Sequence, residues 1–226
     1  MEAKHPEITI VLATGNKDKV RELKPVLEGL ASGISVHSLH DLGLDIEVEE
    51  TEPTLEGNAR LKAEAIFELV APRLDWFIAL ADDTGLEVAA LDGAPGVYSA
   101  RYAPVPEGTT RTYADNVRHL LAQMRGKSER SACFRTVIAM KGRLPVAKGG
   151  AMAIDDTTDG HIDGVITTER QGDGGFGYDP VFAPEGMERT FAQLTIDEKN
   201  RISHRGRAVV AAAKRIGEFL AQCGFQ

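Results

Sequence analysis

Apolar positions recur along the chain at two spacings. The short β-branched run from Ile8 to Ala13 predicts a buried strand, broken at once by Thr14-Gly15-Asn16. Val20, Leu23, Val26, Leu27 and Leu30 then fall on one helical face, and Pro25 inside that pattern is expected to kink or divide the helix because it removes a backbone donor. Ile34 to Leu39 predicts a second strand. Thr54 to Val70 reads as a helix carrying Leu55, Ala59, Ile66, Leu69 and Val70, with Pro72 just beyond its end. Trp76 to Ala81 predicts a strand that ends on Asp82-Asp83-Thr84-Gly85. Leu86 to Leu91 continues as extended chain, and Gly93-Ala94-Pro95-Gly96 reads as a loop.

The second half has a different rhythm. Thr112 to Met124 is helical, aligning Val117, Leu120, Leu121 and Met124. Ser131 to Met140 and Pro145 to Ile154 read as paired strands around Lys141-Gly142-Arg143, and Gly160 to Thr168 as another. Gly172 to Pro180 is rich in glycine, and Val181-Phe182 allows a short strand. Thr195 with Glu198 has the form of a capping box, and Val209, Ala213, Ile216, Phe219, Leu220 and Cys223 mark a last helix from about Arg205 to Cys223. Alternating strands and helices followed by a group of strands and a closing helix predict an α/β protein with a mixed sheet and a second, sheet-rich lobe.

Composition narrows the class. At 226 residues, 42% apolar and 27% charged, the chain can bury a substantial core. A formal charge of -8 argues against non-specific binding to nucleic acid, while leaving room for a locally basic anion site. The two cysteines, Cys133 and Cys223, lie far apart in apolar settings, which predicts reduced thiols and a cytoplasmic location. The start, Met1 to Glu7, is polar, the first apolar run is too brief for a signal-peptide core, and no run is long enough to span a membrane.

Several segments could carry chemistry. Thr14-Gly15-Asn16-Lys17-Asp18-Lys19 joins a strand to a helix, where unpaired amides and two lysines suit a phosphate; the alternative is a plain helix start capped by Asn16. Asp82 and Asp83 are adjacent carboxylates at the end of an apolar run. They need a cation or strong donors to stay ionised, and Mg²⁺ commonly takes one or two carboxylates with substrate phosphate; the alternative is an Asx-turn. The acidic run Asp45, Glu47, Glu49, Glu50 and Glu52 reads by itself as a solvated edge. Phe176, in the glycine-rich segment, could stack on a base or cap the core. Lys199, Arg201, His204, Arg205 and Arg207 make a basic cluster at a helix start, against only Asp197 and Glu198.

In this order these segments resemble the inosine triphosphate pyrophosphatase family, also called the XTP/dITP diphosphatases. The matching stretches are Leu12-Ala13-Thr14-Gly15-Asn16-Lys17, Asp82-Asp83-Thr84-Gly85-Leu86, Gly93 to Arg101, Gly174 to Pro180 and Ser203-His204-Arg205-Gly206. The resemblance implies a single domain over residues 1–226 with an elongated mixed α/β fold, a central twisted mixed sheet and two lobes around a substrate cleft. It implies a homodimer acting on a purine nucleoside triphosphate with Mg²⁺. Thr14, Gly15, Asn16, Lys17, Asp18 and Lys19 would contact the triphosphate, joined by Lys62. Glu50 and Asp83 would serve the metal, with Asp83 as proton acceptor, and Thr84 would touch substrate. Phe176, Gly177, Tyr178 and Asp179 would line the base and sugar site, and Lys199, His204 and Arg205 would hold the base edge. A cationic His204, Arg205 or backbone amides would donate to the 6-oxo group of hypoxanthine or xanthine and leave the amine of adenine unmatched. The chain departs from the family pattern at Pro25 and in the acidic segment Ala151 to His161.

Overall fold

A computed structural model describes residues 7–30 and 33–225. Most of the polar N-terminal stretch therefore lies outside the described residues. The elements in chain order are β1 (Ile8–Leu12), α1 (Lys17–Glu28), β2 (Ile34–Ser38), α2 (Leu55–Val70), β3 (Phe77–Val88), β4 (Pro95–Gly96), α3 (Tyr113–Gln123), β5 (Ser131–Pro145), β6 (Ala151–Ile166), β7 (Phe182–Pro184), α4 (Ile196–Ile202) and α5 (His204–Cys223). The strands form one sheet in the order β2-β1-β3-β5-β6-β7, with β4 paired to β3. β1 runs parallel to β2 and β3, whereas β3–β4 and β6–β7 are antiparallel, so the fold is mixed α/β as expected.

The chain forms two compact units. The first comprises Met1–Asp83, Val137–Asp159 and Ala208–Gln226; the second comprises Thr84–Thr136 and Gly160–Arg207. The first has a core of strand residues Ile10, Leu12, Ile78, Leu80, Ile138 and Met140, packed with Leu23 and Leu27 of α1 and Val209, Ala212 and Ile216 of α5. The second is built on Leu86, Val117, Leu120, Phe134, Ile166, Phe182 and Phe191. β3, β5 and β6 each contribute residues to both.

Local sequence explains most boundaries. Asn16, Thr54, Thr112 and Thr195 cap α1, α2, α3 and α4 with their side chains, and Asp115 and Glu198 complete capping boxes.

Four expectations are corrected. Pro25 does not divide α1: its ring is exposed and lies three residues from the helix end at Glu28, so one backbone bond is forgone near a terminus that frays anyway. Lys141-Gly142-Arg143 is not a turn. β5 runs straight through it, because Gly142 lies against β3 so closely that a Cβ would fall on the carbonyl oxygen of Phe77. The turn comes later, where Gly149 and Gly150 take positive φ (88° and 95°), and Gly160 to Ile166 is the second half of the long β6 rather than a strand of its own. The Asp pair does not end a strand either; β3 continues through it to Val88.

Asp155 and Asp156 of the 151–161 segment are tied down within β6. Asp155 pairs with Arg60 at 2.6 Å and Asp156 with Arg215 at 2.6 Å. Both cysteines are free thiols. Among the described residues, no helix is long and apolar enough to cross a membrane.

Candidate active site

The first unit holds a lysine–carboxylate constellation. Asp82 and Asp83 are successive residues of β3, so their side chains leave opposite faces of the strand, and both are buried, at 2% and 5% exposure. That excludes the Asx-turn. Lys19 takes one of them: its Nζ lies 2.9 Å from Asp82 Oδ2 and 3.5 Å from the Asp82 carbonyl oxygen. Lys62 takes the other, at 2.8 Å from Asp83 Oδ1, and also reaches Glu50 Oε1 at 3.0 Å.

Glu50 is thereby singled out from its acidic run. Asp45, Glu47, Glu49 and Glu52 are exposed, as the solvated-edge reading holds. The loop bearing Glu50 is pinned by Asn58, which is fully buried on α2. Asn58 Oδ1 accepts from the Glu52 amide at 2.9 Å, and Asn58 Nδ2 donates to the Glu52 carbonyl at 3.2 Å. Sequence reasoning passed over Asn58; its signal is an amide placed on the buried face of a helix.

Burial pushes the Asp83 carboxyl up to about 6, with Glu50 adding to the rise while Lys62 opposes it. Burial works against the Lys62 charge, but Asp83, Asp82 and Glu50 together outweigh it and raise its pKa.

The loop before α1 behaves as a capped helix start. Asn16 Oδ1 accepts from the amides of Asp18 (2.9 Å) and Lys19 (3.4 Å), and Thr14 Oγ1 accepts from the Asn16 amide (3.1 Å). Two amides that could have served an anion are thus spent on the cap, so attraction for phosphate rests on the lysine side chains. Asp18 is engaged with Arg21 at 3.3 Å. Thr14, Gly15 and Lys17 line a groove of about 780 Å³ bounded also by Lys24, His40 and Asp45.

The residues fit a divalent cation on one observation. Asp83 Oδ2 is buried without a hydrogen-bond partner, while its sister oxygen shares Lys62 with Glu50. Among the described residues no three acidic, histidine or cysteine side chains converge as a finished cage.

The second unit holds a cationic and aromatic constellation. Phe176 lies under two cations, Lys199 Nζ at 4.8 Å and Arg205 Cζ at 5.2 Å from its ring centre, with Tyr113 at 5.8 Å. Lys199, His204 and Arg205 are each at most 4% exposed, so their polar groups need partners. Asp179 answers Lys199 at 2.6 Å and also accepts from the Phe176 amide at 2.8 Å, which fixes the loop to the lysine. Arg205 donates to Thr84 Oγ1 at 3.1 Å. His204 stacks on Phe134 (4.6 Å, 19° between planes), and its Nδ1 lies 2.7 Å from Thr136 Oγ1.

Gly175 and Gly177 hold φ of 65° and 62°, as the loop requires. Tyr178 is a core residue: it is 4% exposed and its hydroxyl donates to the Ser99 carbonyl at 2.9 Å. Burial raises its phenol. Phe134 and Thr136 were not singled out from sequence, because an aromatic and a β-branched residue alternating in a strand are ordinary core signals. The two constellations meet in the chain on β3, where Asp83 precedes Thr84.

Comparison with known proteins agrees with this inventory. A dITP/XTP pyrophosphatase of Chlorobaculum tepidum is 85% identical over 226 residues, covering 100% of both chains. One of Porphyromonas gingivalis is 45% identical, covering 88% of this chain and 93% of its own. The solved structure of a HAM1 protein from Coxiella burnetii superposes with a TM-score of 0.76 at 35% identity, covering 93% of this chain and 99% of that one. With the fold and the site, these relatives define the chain as a mixed α/β hydrolase. Residues 10–215 match the Ham1 family model, and the chain belongs to that family.

Proposed function

We propose that the protein hydrolyses noncanonical purine nucleoside triphosphates (ITP, dITP and XTP) to the monophosphate and pyrophosphate, clearing deaminated purines from the nucleotide pool. The observation that carries this reading is the state of Asp83. One oxygen is held by Lys62 and the other is buried without a hydrogen-bond partner, which suits a carboxylate that serves a cation or a reacting water. The names of the relatives, dITP/XTP pyrophosphatases, support the substrate class.

In the proposed mechanism the triphosphate engages Lys19, Lys62 and the Thr14 to Lys19 loop. Asp83 orients a water and takes its proton as the water oxygen bonds to the α-phosphorus. The bond from the α-phosphorus to the oxygen bridging to the β-phosphate breaks, and pyrophosphate leaves with that oxygen. Lys19 and Lys62 offset the charge it carries away. Mg²⁺, held by Glu50 and Asp83, would supply further neutralisation of the phosphate oxygens when bound. Phe176 stacks on the purine, and Lys199, His204 and Arg205 address its edge.

The test is a panel of ITP, XTP, dITP, GTP and ATP with and without Mg²⁺, scoring both leaving groups. Monophosphate with pyrophosphate from ITP, dependent on the metal, is the expected result. Diphosphate with orthophosphate would identify a terminal phosphatase instead, and tight binding without turnover a nucleotide sensor.

A further inference from the structure

Residues 44–52, which carry Glu50, adopt no regular secondary structure, yet one side chain grips the Glu52 backbone at both of its polar groups. The fully buried amide of Asn58 accepts from the Glu52 N–H at 2.9 Å and donates to the Glu52 carbonyl at 3.2 Å. A neighbouring strand would pair with a residue in this way; here a helix side chain does so. Gly57 lets the segment lie close, since a Cβ there would stand 2.7 Å from Glu52 Cβ. Thr54 caps the same helix by accepting from the Gly57 amide at 3.0 Å, so residues 52–54 are folded onto the first turn of α2. Asn58 and Lys62 are one turn apart on α2 and share a side of it. Asn58 holds the backbone two residues beyond Glu50. Lys62 holds the Glu50 carboxylate at 3.0 Å and that of Asp83 at 2.8 Å. A long side chain on irregular backbone is placed only as well as that backbone is held.

We infer that Asn58 is a positioning residue for Glu50. It locks the loop to α2, so that Glu50 from the loop and Asp83 from β3 keep one arrangement about Lys62 rather than a range of them, and a divalent cation meets both carboxylates in place. The inference rests on the metal role proposed above for Glu50 and Asp83. The choice of an amide supports it: a leucine of the same shape would fill the buried space without needing partners, whereas an amide must find them, and it finds two on one residue of this loop. Outer partners that orient metal ligands change metal affinity by about ten- to a hundredfold when lost.

The test is a Mn²⁺ titration of the full-length, nucleotide-free protein followed by water-proton relaxation, with Mn²⁺ standing in for Mg²⁺, alongside the Mg²⁺ concentration that half-saturates pyrophosphate release from ITP. Asn58→Leu keeps the branched shape and removes both bonds; both metal constants are expected to rise about tenfold or more. Gly57→Ala reaches the same loop by another route. Alanine favours the helix, but its Cβ would push Glu52 away, and the constants should rise in the same direction. Adding Glu52→Gly to Gly57→Ala removes the obstructing Cβ and should restore most of the affinity. Asn58→Leu and Gly57→Ala that lower the unfolding midpoint while leaving both metal constants unmoved would show a merely structural amide and overturn the inference. Should Asn58→Leu fail to fold, Gly57→Ala and its rescue decide alone. Glu50→Gln separates the two readings. If it leaves the Mn²⁺ constant unchanged, the metal role proposed for Glu50 fails and this inference with it. If it weakens the metal while Asn58→Leu and Gly57→Ala do not, only the positioning role is overturned.

Discussion

Lys62 Nζ stands 2.8 Å from Asp83 Oδ1 and 3.0 Å from Glu50 Oε1, so one ammonium is shared by two carboxylates brought from a strand and a loop. Removing the carboxylate assigned to the proposed chemistry has a direct reading. Asp83→Asn keeps the shape and abolishes the proposed proton acceptor, and kcat on dITP is expected to fall by about 10²-fold or more. Pyrophosphate release under saturating substrate measures it, and near-normal turnover would remove Asp83 from the mechanism.

Lys62→Met leaves Glu50 and Asp83 facing one another without their cation. Activity should fall by about 10²-fold, and the midpoint of unfolding should drop as well. In a double-mutant cycle, Lys62→Met combined with Asp83→Asn should cost clearly less than the sum of the two alone, because each single change already breaks the pair. Strict additivity in kcat/KM would show that the contact has no part in catalysis.

The pH dependence of stability carries two opposite signs. Asp83 titrates near 6 in the folded protein, above its ordinary value of 3.8. Between those values the native state binds more protons than the unfolded one, so stability falls as pH rises through that window and levels off above it. Asp156 is displaced the other way, lowered chiefly by its hydrogen bond from Arg215. Its contribution is present above the ordinary carboxylate range and declines as pH drops below about 4 towards the lower folded value. Urea midpoints in metal-free buffer from pH 3 to 8 test both. Asp83→Asn should flatten the decline between pH 4 and 6. Asp156→Asn should cost about 0.5 kcal/mol at pH 7, the scale of a partly exposed pair, and less at pH 3.

Gly175 gives a prediction about the base side. A Cβ there would fall on the Asp179 carboxylate, and the residue also sits at φ 65°. Gly175→Ala should therefore pull Asp179 away from Lys199 and loosen the loop carrying Phe176. KM for ITP is expected to rise about tenfold or more while the carboxylates of β3 are untouched. Steady-state kinetics with unchanged KM would remove the Asp179–Lys199 pair from substrate binding.

Much of this was legible in the sequence because it was local. The cap at Thr195 is read from Glu198 three residues on, Asn16 is open to reading as the cap of its helix, and the buried β1 follows from a short β-branched run. What escaped was long-range. The pattern of β3 predicts an end at Asp82, since carboxylates are poor strand formers. They are accommodated there because Lys19 and Lys62, brought by two separate helices, supply the countercharge. Gly142 looks like a turn residue until the backbone of Phe77 is laid against it. Thr136 looks like any strand threonine until Thr84 and His204 fall on either side of its hydroxyl. Glu50 could be separated from Glu49 and Glu52 only by knowing where Lys62 points.

The alternation of β3 has an evolutionary consequence. Asp82 answers Lys19 and Asp83 answers Lys62, so a single-residue deletion just upstream in this strand would carry Asp83 into the place of Asp82 and bring Thr84 to Lys62. One lysine would keep a carboxylate and the other would meet a neutral hydroxyl. Length changes should therefore be purged from this strand and accumulate in connections such as residues 104–111, whatever drift the surrounding side chains undergo.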